Sequence, residues 1–267
     1  MSMSTSMTGG RALTLLVDAG NTRIKWALAE PGAAPGDYLA AGAVAHAGFD
    51  QLAPAWRAAL GGHRPARALV ANVAGAALAE RLRAALNPAA SAWAPPVLEW
   101  FVSSPRLAGL RNGYRDPTQL GCDRFAAAIG ARALAPDQAV VVVNCGTATT
   151  IDAISADGVF IGGMIVPGLS LMAGALARST AQLPHIDQAR APPARFADNT
   201  DDAILSGCLA AQAGAIERAC AAHGAVQCIL SGGAAPFIAP ALAVPYRMVD
   251  NIVLIGLQVA AGNPTQE

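Results

Sequence analysis

The sequence predicts an α/β protein built from two duplicated halves. Two apolar strands, Leu13–Val17 and Ala139–Val143, each end in a short polar turn and continue directly into a second strand. After each of these beginnings, segments with apolar residues at helical spacing alternate with short apolar strands. Hydrophobic residues make up 54% of the 267 residues and charged residues 13%, so the chain can bury one large core or two smaller ones.

The first half has the predicted order β-β-β-α-β-α-β. Polar and apolar residues alternate from Arg23 to Leu28, which indicates that a strand follows the first turn directly. Apolar residues recur at helical spacing in Phe49–Leu60 and in Gly75–Leu86. The other strands predicted in this half are Tyr38–Ala45, Ala66–Ala71 and Val97–Val102.

The second half repeats this pattern after a connecting segment. Ser103–Gln119 is rich in Gly, Pro, Arg and Asn, which predicts a long loop, and long loops in compact proteins are often functional. We expect a helix over Cys122–Leu134. The elements predicted after it are strands Ala139–Val143, Thr150–Ile154 and Val159–Val166, helices Leu169–Arg178 and Asp201–Ala222, strand Val226–Leu230, helix Ala234–Leu242, strand Val244–Met248 and helix Ile252–Ala261.

These elements predict two domains flanked by short tails. We expect the N-terminal half to span residues 13–118 and the C-terminal half to span residues 119–262. Residues 1–12 are small and polar and lack the basic start and apolar core of a signal peptide, so we expect a disordered tail there. Residues 263–267 are expected to form a second tail.

Charge and cysteine content argue against several classes of function. The formal net charge is +0 and no basic patch or helix-turn-helix pattern is evident, so we expect no binding to nucleic acid. The cysteines form no Cys-x-x-Cys pair and no histidine has metal-ligand spacing, which indicates reduced thiols in the cytoplasm. Gly158–Ala177 carries no charged residue, yet its glycines and Pro167 predict a strand, a turn and a helix start. We therefore expect no membrane span.

The turn at the head of each half has the chemistry of a phosphate-binding loop. The first, LLVDAGNT, contains Asp18 and Gly20, and the second, VVVNCGTATT, contains Asn144 and Gly146 at the matching places. Because a strand follows each turn, the dinucleotide fingerprint and the P-loop are excluded. Exposed backbone N–H groups beside a glycine can contact a phosphate, and Asp18 can hold magnesium directly or through water. Two ordinary hairpins are the alternative, but the repetition in both halves favours phosphate binding.

The stretch Gly121-Cys-Asp-Arg124 places a carboxylate in the first turn of a predicted helix. Asp123 fits a helix cap that complements the helix dipole, and its spacing alone favours this role. The functional alternative is a general base that accepts the proton of a substrate hydroxyl. Cys122 has no paired base in the sequence, which argues against nucleophilic catalysis by its thiol.

Five motifs in one order give the chain a resemblance to a known family. They are Asp18–Lys25, Gly121–Arg124, Gly146–Asp152, Gly162–Gly168 and Thr180–Pro184. The two turns resemble the phosphate motifs of the acetate kinase, sugar kinase, hsp70 and actin superfamily. The full set resembles type III pantothenate kinase, also called Bvg accessory factor homologues, over about Leu13 to Gly262. The resemblance implies two ribonuclease-H-like (actin-like ATPase) halves around a central nucleotide cleft.

The resemblance also implies a reaction, which is ATP-dependent phosphorylation of pantothenate to 4′-phosphopantothenate in the first step of coenzyme A biosynthesis. It makes Asp123 the catalytic base and places Mg²⁺ with ATP at Asp18, and it implies a cytoplasmic homodimer. The uncharged stretch Gly162–Ala177 is a reasonable element of the dimer interface. The implied ATP-binding residues are Asp18, Ala19, Gly20, Asn21, Thr22, Arg23, Ile24, Lys25 and Thr147. The implied pantothenate-binding residues are Tyr114, Gly121, Cys122, Asp123, Arg124 and Thr180.

One residue departs from the family pattern. Many members have Asp at the head of the second turn, where a potassium or ammonium ion binds, but this chain has Asn144. An amide oxygen can ligate a monovalent cation without supplying charge, so the resemblance leaves the cation requirement open. Asp152 is a nearby carboxylate that either contributes to this site or is an ordinary exposed residue of a strand. Ser231-Gly-Gly233, between a strand and a helix, is a further candidate for contact with adenosine.

Two alternatives to pantothenate kinase remain at the level of the sequence. Another kinase of the superfamily would share the phosphate turns, but it should not share the Gly-x-Asp-Arg and Thr-x-x-Leu-Pro motifs. A non-catalytic regulatory protein on the same fold could lose the base, whereas this chain retains Asp123.

Overall fold

The structure is a computed structural model that describes residues 12–61, 63, 65–87, 96–179 and 192–263. The chain divides into two compact units, Met1–Phe101 and Val102–Glu267. Each unit contains one mixed β-sheet with helices, which confirms the predicted α/β class.

The first unit contains a five-stranded sheet. Strand β1 lies in the middle, antiparallel to β2 and parallel to β4, and the strand order is β3-β2-β1-β4-β5. A 3-10 turn over His46–Gln51 leads into the first helix. The elements of this unit are strands β1 (Leu13–Ala19), β2 (Arg23–Ala29) and β3 (Ala40–Ala45), helix α1 (Leu52–Leu60), strand β4 (Pro65–Asn72), helix α2 (Ala76–Leu86) and strand β5 (Val97–Trp100).

The second unit contains a seven-stranded sheet, whose strand order is β12-β11-β8-β9-β10-β7-β6. Its first elements are strands β6 (Arg106–Leu107) and β7 (Leu110–Asn112), helix α3 (Cys122–Leu134) and strands β8 (Val140–Cys145), β9 (Ala148–Ile154) and β10 (Val159–Pro167). The elements that follow are helices α4 (Leu169–Ser179) and α5 (Thr200–His223), strand β11 (Gln227–Ser231), helix α6 (Ala235–Ile238), strand β12 (Arg247–Met248) and helix α7 (Ile252–Gly262).

The sheets confirm the duplication that the sequence predicts. Five strands of the second sheet, in the order β10-β9-β8-β11-β12, correspond to β3-β2-β1-β4-β5 of the first. The strand directions correspond as well, because β8 is antiparallel to β9 and parallel to β11, as β1 is to β2 and β4. The first turn therefore follows the central strand of one sheet, and the second turn follows the equivalent strand of the other.

Each unit has its own apolar core. In the first unit, Leu15 and Val17 of β1 share a buried cluster with Trp56 of α1 and Leu82 of α2. Burying one such large side chain stabilises the fold by about 1.5–3 kcal/mol. In the second unit, the corresponding cluster contains residues of β8, β11, α4 and α5, among them Val143, Leu169, Ile216 and Leu230. All five cysteines are free thiols.

Helix α3 is enclosed by protein, and α7 packs directly against it. Phe125–Ala131 are buried on every side of α3, as expected for a helix in the interior of a domain. Two glycines allow the backbones of the two helices to approach closely. A Cβ atom on Gly130 would lie 2.7 Å from the Ile252 carbonyl oxygen, and one on Gly256 would overlap the Ala126 carbonyl.

The boundary between the units lies nearer the N-terminus than the sequence indicates. It falls between Phe101 and Val102, whereas the sequence pattern places it between residues 118 and 119. The intervening segment contains β6 and β7, where the sequence predicts a loop. Strand β7 pairs in parallel with β10, which joins this segment to the second sheet. Strands of two and three residues are too short to show a periodic pattern.

Among the described residues, no helix is both long enough and apolar enough to cross a bilayer. The uncharged stretch Gly158–Ala177 contains the whole of β10 and most of α4, in agreement with the strand, turn and helix start that its glycines and Pro167 predict.

Candidate functional site

The first turn joins β1 to β2 and exposes its backbone. Asp18 pairs with Lys25 across the two strands, and Ala19 pairs with Ile24. The Gly20 N–H group donates to the Arg23 carbonyl at 3.2 Å, which closes a tight turn. Backbone N–H groups in such a turn can contact a phosphate.

The predicted ATP-binding residues of this segment differ in accessibility. Ala19 and Ile24 are buried in the core of the first unit, so their side chains support the turn. Asn21, Thr22 and Arg23 are exposed, whereas the Asp18, Gly20 and Lys25 positions are half-buried. The outer edge of the turn therefore presents the polar side chains of residues 21–23.

The second turn joins β8 to β9 and contains Gly146 and Thr147. The Gly146 N–H group donates to the Ala148 carbonyl at 3.0 Å, and the Gly168 N–H group donates to the Thr147 carbonyl at 3.0 Å. The turn is therefore bonded to the residue that precedes α4. Thr147 is exposed, in agreement with a side chain available to a ligand.

Asn144 lies within strand β8, although the sequence interpretation assigns it to the turn. It pairs with Thr150 of β9 on one side and with Ser231 of β11 on the other, and it is half-buried. The candidate adenosine segment, Ser231-Gly-Gly233, begins beside it. The Ala234 N–H group donates to the Cys145 carbonyl at 3.0 Å, which keeps this segment against the end of β8.

The start of α3 holds the carboxylate of Asp123 in a half-buried position. Gly121 is the N-cap of the helix, and Asp123 Oδ1 accepts the N–H of Arg124 at 2.8 Å. Burial raises the pKa of Asp123 above the usual value of 3.8, and the adjacent Arg124 opposes this effect only in part. A carboxylate with a raised pKa is a stronger proton acceptor, as a general base requires.

The Arg124 side chain forms a buried ion pair with Asp152 of β9. Its Nε donates to both carboxylate oxygens, at 3.1 and 3.2 Å, and its Nη2 donates to Oδ1. The two residues are 6% and 1% exposed. Removal of either charge would leave the other one unpaired away from water, which is costly.

Tyr114 contacts the other side of the same guanidinium. Arg124 Nη1 donates to the Tyr114 hydroxyl oxygen at 2.8 Å, and the Tyr114 ring packs edge-on against Phe160 with a centroid distance of 5.6 Å. The loop that carries Tyr114 is held by Asn112, whose side-chain oxygen accepts the Tyr114 N–H at 3.1 Å. Asn112 Nδ2 donates to the Pro117 carbonyl at 3.2 Å. Strand β9, strand β10 and the loop carrying Tyr114 thus all contact Arg124 of α3.

Asp152 is not the ordinary exposed strand residue that was one interpretation of the sequence, because its side chain is buried in the ion pair with Arg124. Burial raises its pKa to about 6, although hydrogen bonds from Arg124 and Thr150 favour the ionised form. The signal in the sequence was a carboxylate in a strand of apolar residues, since such a group needs a partner when it is buried. Its partner lies 28 residues away and could not be identified from local pattern.

The structure brings together most of the predicted pantothenate contacts. Tyr114, Asp123 and Arg124 are joined through the interactions above, and Gly121 and Cys122 begin the same helix. Thr180 lies outside the described residues. Within the described part of the chain, no cluster of three or more His, Cys, Asp or Glu residues could hold a metal ion.

Comparison with known proteins gives this geometry a family context. The family model described as type III pantothenate kinase matches residues 14–222. The type III pantothenate kinase of Herminiimonas arsenicoxydans is 55% identical over 258 residues, covering 93% of this chain and 97% of the relative. That of Janthinobacterium sp. (strain Marseille) is 55% identical over 259 residues, again covering 93% and 97%.

Solved structures support the fold alone. A protein from Campylobacter jejuni, described as a Baf family transcriptional activator, superposes with a TM-score of 0.57 at 21% identity and covers 91% of this chain and 94% of its own. The structural relatives have the actin-like ATPase and sugar kinase fold, which confirms the predicted fold class. The family match extends over most of the chain, and on this ground the chain belongs to the type III pantothenate kinase family.

Proposed function

We propose that this protein transfers the γ-phosphoryl group of ATP to the primary hydroxyl of pantothenate. The products are ADP and 4′-phosphopantothenate, in the first step of coenzyme A biosynthesis. Family membership supports this activity, and the observation that carries the chemistry is the half-buried carboxylate of Asp123 at the start of α3, whose pKa is raised. Enzymes of this class gain most of their rate from positioning and charge stabilisation, with a base to accept the hydroxyl proton.

Asp123 is proposed as the base. Ionised, it accepts the hydroxyl proton as the oxygen attacks the γ-phosphorus. Gly121, Cys122, Arg124, Tyr114 and Thr180 are proposed to bind pantothenate around it. The Tyr114 ring is half-buried and Arg124 is 6% exposed, so the site combines an aromatic ring with a positive charge largely enclosed by protein, which suits a small substrate with an apolar body and a carboxylate.

The two turns are proposed to bind phosphate groups of ATP, through Asp18–Lys25 in the first unit and Thr147 in the second. Their exposed backbone and small polar side chains support this assignment. Asp18 offers a carboxylate and Thr22 a hydroxyl, which are hard oxygen donors of the kind that Mg²⁺ prefers. When bound with ATP, Mg²⁺ would neutralise phosphate charge during transfer.

For the monovalent cation that many members of the family bind, we propose a single ligand in this chain, the side-chain amide of Asn144. Asn144 supplies a neutral oxygen at the end of β8, next to the second turn. A site built on Asn144 would bind potassium or ammonium through a neutral amide oxygen, and this residue would contribute no negative charge.

We further propose a cytoplasmic homodimer that uses the outer face of β10 and α4. Large apolar side chains are exposed there at Ile161, Met164, Ile165, Leu171 and Leu176, with between 41% and 62% of each accessible. An apolar surface of this kind is unfavourable in water unless a partner covers it, and a second copy of the chain is the simplest partner.

The decisive experiment measures ATP-dependent phosphorylation of pantothenate by the purified protein and by Asp123→Asn. The substitution keeps the size of the side chain and removes the proton acceptor. We expect kcat to fall by roughly 10²- to 10⁴-fold. Asp250→Asn, at an exposed position, is the matched control and should retain full activity.

Two outcomes would contradict the proposal. Absence of pantothenate phosphorylation by the wild-type protein, with sodium, potassium and ammonium each supplied, would refute the kinase activity. Equal turnover by Asp123→Asn would remove Asp123 from the role of base while leaving the kinase activity in place.

A further inference from the structure

We propose that Asp152 is a positioning residue, which fixes the guanidinium of Arg124 beside the catalytic carboxylate of Asp123. The inference rests on the proposed function and adds to it a residue for which family resemblance implied no role in binding pantothenate. Asp152 does not reach the substrate in this proposal. It acts through Arg124.

The geometry of the ion pair restricts Arg124 to one orientation. Asp152 accepts from both Nε and Nη2, so its carboxylate occupies one edge of the planar guanidinium. Paired bonds of this kind define the plane of the group as well as its position. Tyr114 accepts from Nη1 at 2.8 Å, which leaves little freedom for rotation about the last torsion angles.

The neighbouring strand is shaped to admit this ion pair. Gly163 of β10 pairs directly with Asp152 in the sheet. A Cβ atom on Gly163 would overlap Asp152 Oδ1 and lie 2.7 Å from Arg124 Nη2. Any side chain at this position would therefore displace one of the two charged groups. The glycine at position 163 thus has a steric reason that concerns Arg124.

The pair also influences the charge of Asp123. The charged groups that act on Asp123 in the described part of the chain are Arg124 on α3 and Asp152 on β9, with the Tyr114 phenol across the guanidinium. Arg124 alone stabilises the ionised form of Asp123 and lowers its pKa, whereas Asp152 has the opposite effect by like-charge repulsion. Burial is the main cause of the raised pKa of Asp123, and the repulsion from an ionised Asp152 adds to it, so that both oppose the attraction of Arg124.

The test is Asp152→Asn, which retains an oxygen acceptor of nearly the same size and removes the charge. We expect KM for pantothenate to rise roughly 10- to 100-fold, as for a lost charge-assisted hydrogen bond, with KM for ATP unchanged. We also expect the acid limb of the kcat/KM profile to move to lower pH, because the unopposed Arg124 lowers the pKa of Asp123. A purely structural role would not move this limb.

A second variant tests the same geometry without changing any charge. The added methyl group of Gly163→Ala would overlap the ion pair. We therefore expect this variant also to raise KM for pantothenate and to leave KM for ATP unchanged. Gly207→Ala on α5 is its matched control, because a Cβ atom there would meet open space. Circular dichroism and thermal unfolding establish that each variant is folded. Unchanged KM values in both variants, with an unshifted acid limb in Asp152→Asn, would overturn the proposal.

Failure of the proposed function can be told apart from failure of this inference. If the wild-type protein does not phosphorylate pantothenate, the proposed function falls, but the effect of Asp152 on Asp123 can still be measured. The carboxyl ¹³C resonance of Asp123, assigned with Asp123→Asn, then reports its pKa in the wild type and in Asp152→Asn. A lower pKa in the variant supports the positioning role, and an equal pKa refutes it.

Discussion

Asp123 joins two features that the sequence offers only as alternatives, a hydrogen bond at the start of a helix and the raised pKa that a base requires. Its carboxylate accepts the N–H of Arg124 in the first turn of α3, as a helix-terminal acid does, and burial nevertheless raises its pKa. The residue and its place at the start of the helix could be predicted from a short motif. Its burial and the charge balance around it depend on β9 and the loop carrying Tyr114, which only the folded chain brings close.

The raised pKa of Asp123 leads to a prediction for the pH dependence of catalysis. The base acts only when it is ionised, so kcat/KM for pantothenate should fall as the pH decreases through the pKa of Asp123. Because that pKa is raised, we expect the acid limb to lie above the value of 3.8 for an ordinary aspartate. The measurement is a pH profile of kcat/KM, with unfolding monitored over the same range.

The residual activity of Asp123→Asn is the control for this prediction. It should lose the part of the acid limb that belongs to Asp123, whereas Asp152, whose pKa is about 6, still titrates in this variant. An acid limb in the wild type at or below the ordinary aspartate value would contradict the assignment, and so would an unchanged limb in the variant.

At the scale of elements, the order of strands and helices follows from local pattern, but contacts between elements do not. The runs LLVDAGNT and VVVNCGTATT predict the hairpins β1–β2 and β8–β9, because their apolar strands and turn residues are contiguous. The ends are less certain from sequence, and Asn144 belongs to β8 because pairing with both neighbouring strands extends it past the apolar run. Strands β6 and β7 depend on pairing within the sheet of the second unit, which no local pattern reports.

The contact between α3 and α7 supports a prediction about stability. Gly256→Ala adds a methyl group that would overlap the Ala126 carbonyl, so the helices must separate. We expect the free energy of unfolding to fall by roughly 1–3 kcal/mol, as in overpacked cores. Denaturant unfolding monitored by circular dichroism measures the change.

Gly214→Ala in the middle of α5 is the matched control for Gly256→Ala. A Cβ atom at Gly214 would meet no neighbouring atom, and alanine favours helix over glycine by up to about 1 kcal/mol. The control should therefore be as stable as the wild type or more stable. If Gly256→Ala behaved in the same way, the close contact between the helices would be ruled out.

At the scale of the whole molecule, duplication was predictable because both copies keep the same order of elements. The two sheets share strand order and direction even though their sequences have diverged. The boundary between the units was harder to predict from the sequence, because it depends on the pairing of β7 with β10. Assembly of two chains is also a property of this scale, and the exposed apolar face of β10 and α4 is the feature that bears on it.

Ile165→Asp tests the proposed homodimer. The side chain is 62% exposed on β10, so a charge there is tolerated by a single chain and is unfavourable in an apolar interface. We expect the wild type to sediment as a dimer and the variant as a monomer in analytical ultracentrifugation. Val226→Asp, at a residue that is 73% exposed outside this face, should remain dimeric. A monomeric wild type, or a dimeric Ile165→Asp, would contradict the proposed interface.

The glycine contacts behind α3 have a mechanical consequence for the helix that carries the proposed catalytic carboxylate. Where side chains separate two helices, a rotamer change can absorb a small displacement of one relative to the other. Between Gly130, Gly256 and the facing carbonyl groups there is no such layer. Helix α3 therefore rests directly on the backbone of α7, and we expect a shift of α3 to displace α7 with it.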